Sequence, residues 1–450
     1  MERGRSIWLG RRRLVLGERG QTIPYALSPS AVIAPPAAAS PILLPLPALP
    51  PSLLALSFLS ASLLLATPAC RAQAAEPPSA TASASPTAPA ASRSTAGRKT
   101  LATGQRAKQT AKAKPARHAK GGTAPGSADA KAPALGQTSA VLDFAVAHAA
   151  SLNQTPEQIA ALLAQARILP SVQRLIMPTP AGTAKDWMAY RDRFVEPRRL
   201  QAGLAFWEAH ADALARAEER YGVPAEIVLG IIGVETFYGR IMGGFRILDA
   251  LATLSFDFPT GRSDRSPFFR EELHQFLLLC QRDGLDPLAL KGSYAGAMGL
   301  GQFMPGSWMR HAVDFDGDGH ADLINSPADA IGSVANFLAQ HGWQRALPTD
   351  YTVAAPAGTA ERAQLLAPDV RPSFTPAQMQ ALGAQLSEAG QEHTGKLALI
   401  ELQMGDAAPV YVAGTENFFV LTRYNQSAYY AMAVISLGRK LGQMRRAGTE

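Results

Sequence analysis

The sequence predicts an α+β fold, mostly α, in which a globular part follows a long non-globular leader. Three observations carry that prediction. From about residue 138 onward, apolar residues recur at helical spacing between recognisable caps, among aromatics and charges of both signs. Between about 350 and 415 the pattern changes to short strand-like runs. Upstream, residues 35–137 are dominated by Ala, Pro, Ser, Thr and Leu, and none of the 5 Trp falls there. That leaves roughly 310 residues for the folded part, enough for a large core.

Taken from the N-terminus, residues 52–66 form an uncharged apolar stretch. It suits the apolar region of a signal peptide and is short for a membrane-spanning helix of about 20 residues. Pro45, Pro47, Pro50 and Pro51 oppose a longer helix, and Ala72-Gln73-Ala74 supplies an A-x-A cleavage pattern. The basic cluster from Arg3 to Arg19 stands unusually far upstream, as a misassigned start codon or an extended leader would leave it. Residues 1–74 are therefore read as a leader, and the folded part as exported. Cys70 offers an alternative, a lipidated N-terminus, although Thr67 stands where lipidation sites usually carry Leu. Residues 75–137 hold too few large hydrophobics to offset chain entropy and are expected to be a disordered linker.

In the folded part, Thr155-Pro156-Glu157 opens a helix whose Ile159, Leu162, Leu163 and Ala166 share a face. A second helix is expected from about Leu200 to Arg220, striped by Leu204, Trp207, Ala211, Leu214 and Ala215, and ended by Tyr221-Gly222. Pro224 starts a third, running through Ile227, Val228 and Ile231 to Glu235. Residues 351–353, 396–403 and 409–412 read as short strands around a small helix at 376–389, and 417–439 returns to helix or a buried mixed segment.

The charge is unevenly spread. Residues 1–137 contain 17 Lys/Arg against 4 Asp/Glu, so the remainder is net acidic although the chain carries +7 overall. A nucleic-acid enzyme would place positive charge on its fold, and that class loses ground. Within the linker the basic excess offers electrostatic attachment to an anionic envelope, or nothing beyond solubility. Cys280 lies in the apolar run Phe276-Leu277-Leu278-Leu279 and is read as a buried free thiol, with no disulfide expected.

Four motifs carry chemistry. In Ile231-Ile232-Gly233-Val234-Glu235-Thr236-Phe237-Tyr238-Gly239, a carboxylate sits in an apolar helix tail. Desolvation there would raise its pKa and keep a proton available near neutral pH, as a general acid requires. Taken alone, Glu235 could equally face solvent or pair with Arg240 or Arg262. The run from Gly292 to Pro305 has four glycines within ten residues, suiting close backbone approach to a ligand, with Ser293 and Gln302 as hydrogen-bonding groups. A tight packing turn would look the same, and no phosphate-cradling pattern follows. Asp314, Asp316 and Asp318, with Gly319 at position six and the His320 carbonyl at position seven, form the front half of an EF-hand loop. Asn325 replaces the closing Glu at position twelve, and Asp329 could close the site instead. Finally, Asn417-Phe418-Phe419 and Tyr424-Asn425 through Tyr429-Tyr430 mix aromatics with amides, as sugar-binding surfaces do, though such stripes also build cores.

Together these motifs resemble the lytic murein transglycosylase B family over about 140–440, in the family's order and spacing. The resemblance implies a lysozyme-like core (about 222–345 and 415–440) with an EF-hand-like loop, an α-helical subdomain and a small β subdomain. It implies a catalytic domain spanning 138–450, Glu235 as the catalytic glutamate, and Ser293, Gln302, Tyr424, Asn425 and Tyr430 as glycan contacts. Asp314, Asp316, Asp318, His320 and Asp329 fall on its metal-loop positions, for a structural Ca2+ or Na+ and no organic cofactor. The implied substrate is the glycan strand of peptidoglycan, in the periplasm, acted on by a monomer without a nucleic-acid partner. The implied reaction breaks the bond between N-acetylmuramic acid and N-acetylglucosamine and closes a 1,6-anhydro ring. Two departures stand out: Phe337 replaces a substrate-facing Tyr, and the segment before Asp329 is one residue longer. A hydrolase using Asp257 or Asp264 as a second carboxylate, or a non-catalytic glycan-binding protein, are the alternatives.

Overall fold

The computed structural model describes residues 129–177 and 185–448, and a separate two-residue pairing of Trp8–Leu9 with Arg12–Arg13. The apolar stretch at 52–66, the A-x-A site and Cys70 lie outside the described residues. The folded part starts earlier than 138. Asp129 accepts from the Ser171 backbone N–H at 3.2 Å, Leu135 is 5% exposed, and Leu135 N donates to Ala166 O at 2.8 Å. A segment with so few large hydrophobics docks through the Asp129 carboxylate, one buried Leu and backbone hydrogen bonds, a combination composition does not register.

Six helices come first: α1 (Ser139–His148), α2 (Pro156–Leu163), α3 (Pro170–Ile176), α4 (Trp187–Arg191), α5 (Pro197–Ala209) and α6 (Ala211–Tyr221). Thr155 caps α2 in a full capping box with Gln158, and Gly222 ends α6 at φ 72°. The single helix expected over 200–220 is in fact two, broken at His210, whose φ of −125° and ψ of 27° are not helical. No Gly or Pro marks that break, so local sequence did not announce it.

The central helix α7 (Ala225–Thr236) is followed by the short strand β1 (Phe245–Arg246), α8 (Ile247–Phe256), α9 (Ser266–Asp283), β2 (Lys291–Gly292), α10 (Pro305–His311) and α11 (Pro327–Gln340). The β region then supplies β3 (Asp350–Ala354), α12 (Thr359–Leu366), α13 (Pro376–Ala381), β4 (Gln385–Leu386), α14 (Glu388–Gln391), β5 (Ala398–Met404) and β6 (Ala407–Gly414). Its sheet is antiparallel throughout, in the order β4-β3-β6-β5. The small helix expected at 376–389 is two short helices with β4 between them. Residues of β5 alternate between two cores: Ala398, Ile400 and Leu402 join the main core, and Leu399 joins a smaller one with Val353, Leu365 and Met379.

Helices α15 (Glu416–Tyr424) and α16 (Ala428–Ala447) return the chain to the main core. There α16 lies tightly along α7. A Cβ on Gly230 would stand 2.4 Å from Val434 O, and one on Gly438 would stand 2.2 Å from Glu226 O. Only glycine permits that approach, which brings the start of α16 to the end of α7. Among the described residues no helix is long and apolar enough to cross a membrane.

Candidate active site

Glu235 is the penultimate residue of α7, a helix buried on nearly every side. The helix stops because Phe237 and Tyr238 turn left-handed, at φ 53° and 57°, before Gly239. Two consecutive non-glycine residues in that region store strain, which surrounding contacts must hold. Thr236 supplies one: its fully buried hydroxyl donates to Leu300 O at 2.8 Å and accepts from Gly239 N at 3.0 Å. The end of α7 is thereby tied to the glycine-rich loop.

Within that loop, Ser293 Oγ accepts from Ala295 N and Ala297 N at 3.3 and 3.0 Å. Gln302, at φ 52°, donates through Nε2 to Gly299 O and Met242 O at 3.0 and 3.2 Å. Tyr424 donates its hydroxyl to Gly301 O at 2.6 Å, beside Gln302. Its ring lies 6.4 Å from that of Tyr430 with only 8° between their planes. Tyr430 in turn donates to Glu235 Oε1 at 2.6 Å. Glu235, Tyr430, Tyr424 and the 299–302 turn thus meet in one place. Asn425 lies on the exposed turn between α15 and α16, and Ser293 further along the glycine loop.

Electrostatics follow from this enclosure. Glu235 is only part-buried as a residue, yet burial of its carboxyl group lifts the pKa to about 7, against a smaller lowering by the Tyr430 hydrogen bond. Tyr424 and Tyr430 are pushed well up, first by burial and then by Glu235. A carboxyl poised near neutrality can both give and take a proton. No carboxylate among the described residues contributes to its shift. Asp257 instead accepts from Gln173 Nε2 at 2.9 Å, and Asp264 accepts from Ser266 N at 2.8 Å at the start of α9.

The family model described as the transglycosylase SLT domain matches residues 136–439. The membrane-bound lytic murein transglycosylase B of Escherichia coli (strain K12) is 44% identical over 297 residues, 64% of this chain and 79% of that protein. The chain belongs to the lytic murein transglycosylase B family. Among solved relatives, soluble lytic transglycosylase SltB1 from Pseudomonas aeruginosa is 41% identical with a TM-score of 0.61, covering 68% of this chain and 99% of that one. The Escherichia coli lytic transglycosylase Slt35, solved in complex with calcium, is 40% identical with a TM-score of 0.60, covering 69% and 94%. SltB3 from Pseudomonas aeruginosa, in complex with NAG-NAM-pentapeptide, is 28% identical with a TM-score of 0.57, covering 68% and 80%.

In this family member the acidic loop joins α10 to α11. Carboxylate oxygens of Asp314, Asp316 and Asp318 lie within 4.8 Å of one another. Asx-type bonds hold them: Asp314 accepts from Gly317 N and Gly319 N at 2.6 and 2.9 Å, and Asp318 accepts from His320 N at 2.9 Å. Three converging hard oxygens fit a divalent cation such as calcium. Asp329, expected to close the set, lies outside that triplet. It is fully buried, and its oxygens accept from Phe315 N, Asp316 N and Asp322 N at 2.7, 3.2 and 2.8 Å. The acid that sequence spacing offered as a ligand is a clamp on the loop backbone. Asn325, at position twelve, bonds Asp322 Oδ2 at 2.9 Å.

Phe337 stacks on His341 at 4.0 Å and meets Tyr424 edge-on at 4.8 Å. Thr236 and Tyr190 escaped the sequence reading. The Thr236 hydroxyl finds its Leu300 partner 64 residues away, and Tyr190 lies edge-on to Tyr429, next to Tyr430 in α16.

Proposed function

We propose that this transglycosylase breaks the β-1,4 bond between N-acetylmuramic acid and N-acetylglucosamine in peptidoglycan without adding water. The observation that carries the reading is a single carboxyl held near pH 7, partnered by one tyrosine and perturbed by no second carboxylate among the described residues. Glu235 gives its proton to the bridging oxygen as the C1–O bond breaks. The resulting carboxylate takes the proton from the C6 hydroxyl of the same muramic acid, whose oxygen bonds to C1. The product ends in a 1,6-anhydro ring and Glu235 is protonated again. The N-acetyl group can support C1 between these steps, as in substrate-assisted glycosidases. Ser293, Gln302, Tyr424, Asn425 and Tyr430 would line the glycan. Asp314, Asp316 and Asp318, with the His320 carbonyl, would hold a structural calcium ion away from the chemistry. The leader would deliver the enzyme to the periplasm, where murein lies.

Mass analysis of the muropeptides released from purified sacculi tests this reading. Anhydro ends are expected. Hydrated reducing ends would establish a hydrolase, and glycan binding without release would establish a scaffold.

A further inference from the structure

Two consecutive tyrosines open α16, and they hold different parts of the molecule. Tyr430 donates to Glu235 at 2.6 Å. The hydroxyl of Tyr429 accepts from Gln403 N at 2.8 Å and lies 3.5 Å from Gln403 O. Gln403 is near the end of β5, just before the hairpin turn at Gly405 that leads into β6. The same turn is fastened to the entry of α4: Gly405 N donates to Lys185 O at 3.0 Å, and Asp186 forms a bridge with Met404. From α4, Trp187 and Tyr190 meet the Tyr429 ring edge-on, at 6.1 and 5.9 Å. Lys185 Nζ stands 5.8 Å from the centre of that ring. Two segments remote in sequence, the end of β5 and the α4 region, therefore converge on one side chain of α16.

That convergence bears on the acid because the two tyrosines share one turn of helix. Ser427 caps it by accepting from Tyr430 N at 3.3 Å, so displacing Tyr429 displaces Tyr430. Tyr430 makes the hydrogen bond that opposes the burial shift of Glu235. Displacements near 1 Å at a reacting group cost about a hundredfold in rate in unfavourable cases.

We infer that Tyr429 is a positioning residue: clasped by the β5–β6 hairpin tip and α4, it sets the hydrogen bond from Tyr430 to Glu235. The small β region then serves as a brace for the acid helix. The inference rests on reading Glu235 as the proton-transfer group.

Tyr429→Phe in the full-length chain keeps the ring and removes its hydroxyl contacts with Gln403. It is expected to lower kcat about tenfold with KM within about twofold. It should also raise the titration midpoint of the Glu235 carboxyl, since a weaker hydrogen bond to the ionised form favours the protonated one. Carbon-13 glutamate NMR, with Glu235→Gln as the assignment blank, reads that midpoint without reference to turnover. In a Tyr430→Phe background, Tyr429→Phe should have little further effect, because one acts through the other. Trp187→Phe loosens the same clasp from the α4 side and should move the midpoint the same way by less. Leu365→Ala, in the smaller core, should lower Tm while leaving the midpoint alone. An unchanged midpoint in both Tyr429→Phe and Trp187→Phe, or losses that multiply independently with Tyr430→Phe, overturns the inference. Full turnover by Glu235→Gln would end the reading of Glu235 as the acid, while the midpoint would still report whether Tyr429 controls its hydrogen bond.

Discussion

Glu235 and Asp329 are both carboxylates raised by burial, and the molecule uses them in opposite ways. Asp329 accepts three backbone N–H groups, which can only donate. It is best satisfied as an anion, and a proton on it would displace a bond that the acidic loop needs. Among the described residues, Glu235 has one hydrogen-bond partner, the Tyr430 hydroxyl. A hydroxyl can rotate to donate or accept, so the carboxyl has a partner in either protonation state. The comparison separates a carboxylate built to hold from one built to cycle: the kind of donor decides, more than the depth of burial.

The largest test of the cycling half is Glu235→Gln, expected to cut turnover on sacculi by about a thousandfold or more, because both proton transfers are lost. Equal turnover would show that Glu235 does not cycle a proton. For the holding half, Asp329→Ala should cost about 3 kcal/mol by stranding buried donors. Urea unfolding measures it, and a loss below about 0.5 kcal/mol would show that water replaces the clamp easily.

The pH dependence of stability sharpens the contrast. The folded-state pKa of Glu235 lies above its ordinary 4.5, near 7. The protonated form therefore favours folding at low pH, and that contribution is lost as pH rises from about 4.5 through about 7. Glu235→Gln removes the penalty, so it should match wild type near pH 4.5 and exceed it by about 1–3 kcal/mol above pH 8. Paired melting curves at the two pH values check the sign.

The smallest effect expected is that of calcium. An ion bound only by the folded state raises stability by RT ln(1 + [L]/Kd), about 0.4 kcal/mol when the ion is present at its Kd. Asp316→Ala combined with Asp318→Ala should erase the calcium-dependent rise in Tm without abolishing glycan cleavage at low temperature. Wild-type melting indifferent to both calcium and chelator would count against an occupied loop.

Much of this was legible locally. The Thr155 cap, the Gly222 stop and the apolar tail around Glu235 each reside within a few residues, so periodicity and cap chemistry sufficed to place them. The motifs also identified the family. Tertiary structure decided what each side chain is bonded to. Tyr430 reaches Glu235 across 195 positions, and the Thr236 hydroxyl finds Leu300 O across 64. The spacing that offered Asp329 as a metal ligand could not show three backbone amides facing it. Nor could composition show that 129–137 packs, since its anchors, the Asp129 carboxylate, the buried Leu135 and backbone hydrogen bonds, all meet groups elsewhere in the chain. Caps and periods are short-range properties of the chain. A carboxylate's pKa and role depend on groups that only folding brings within hydrogen-bonding distance.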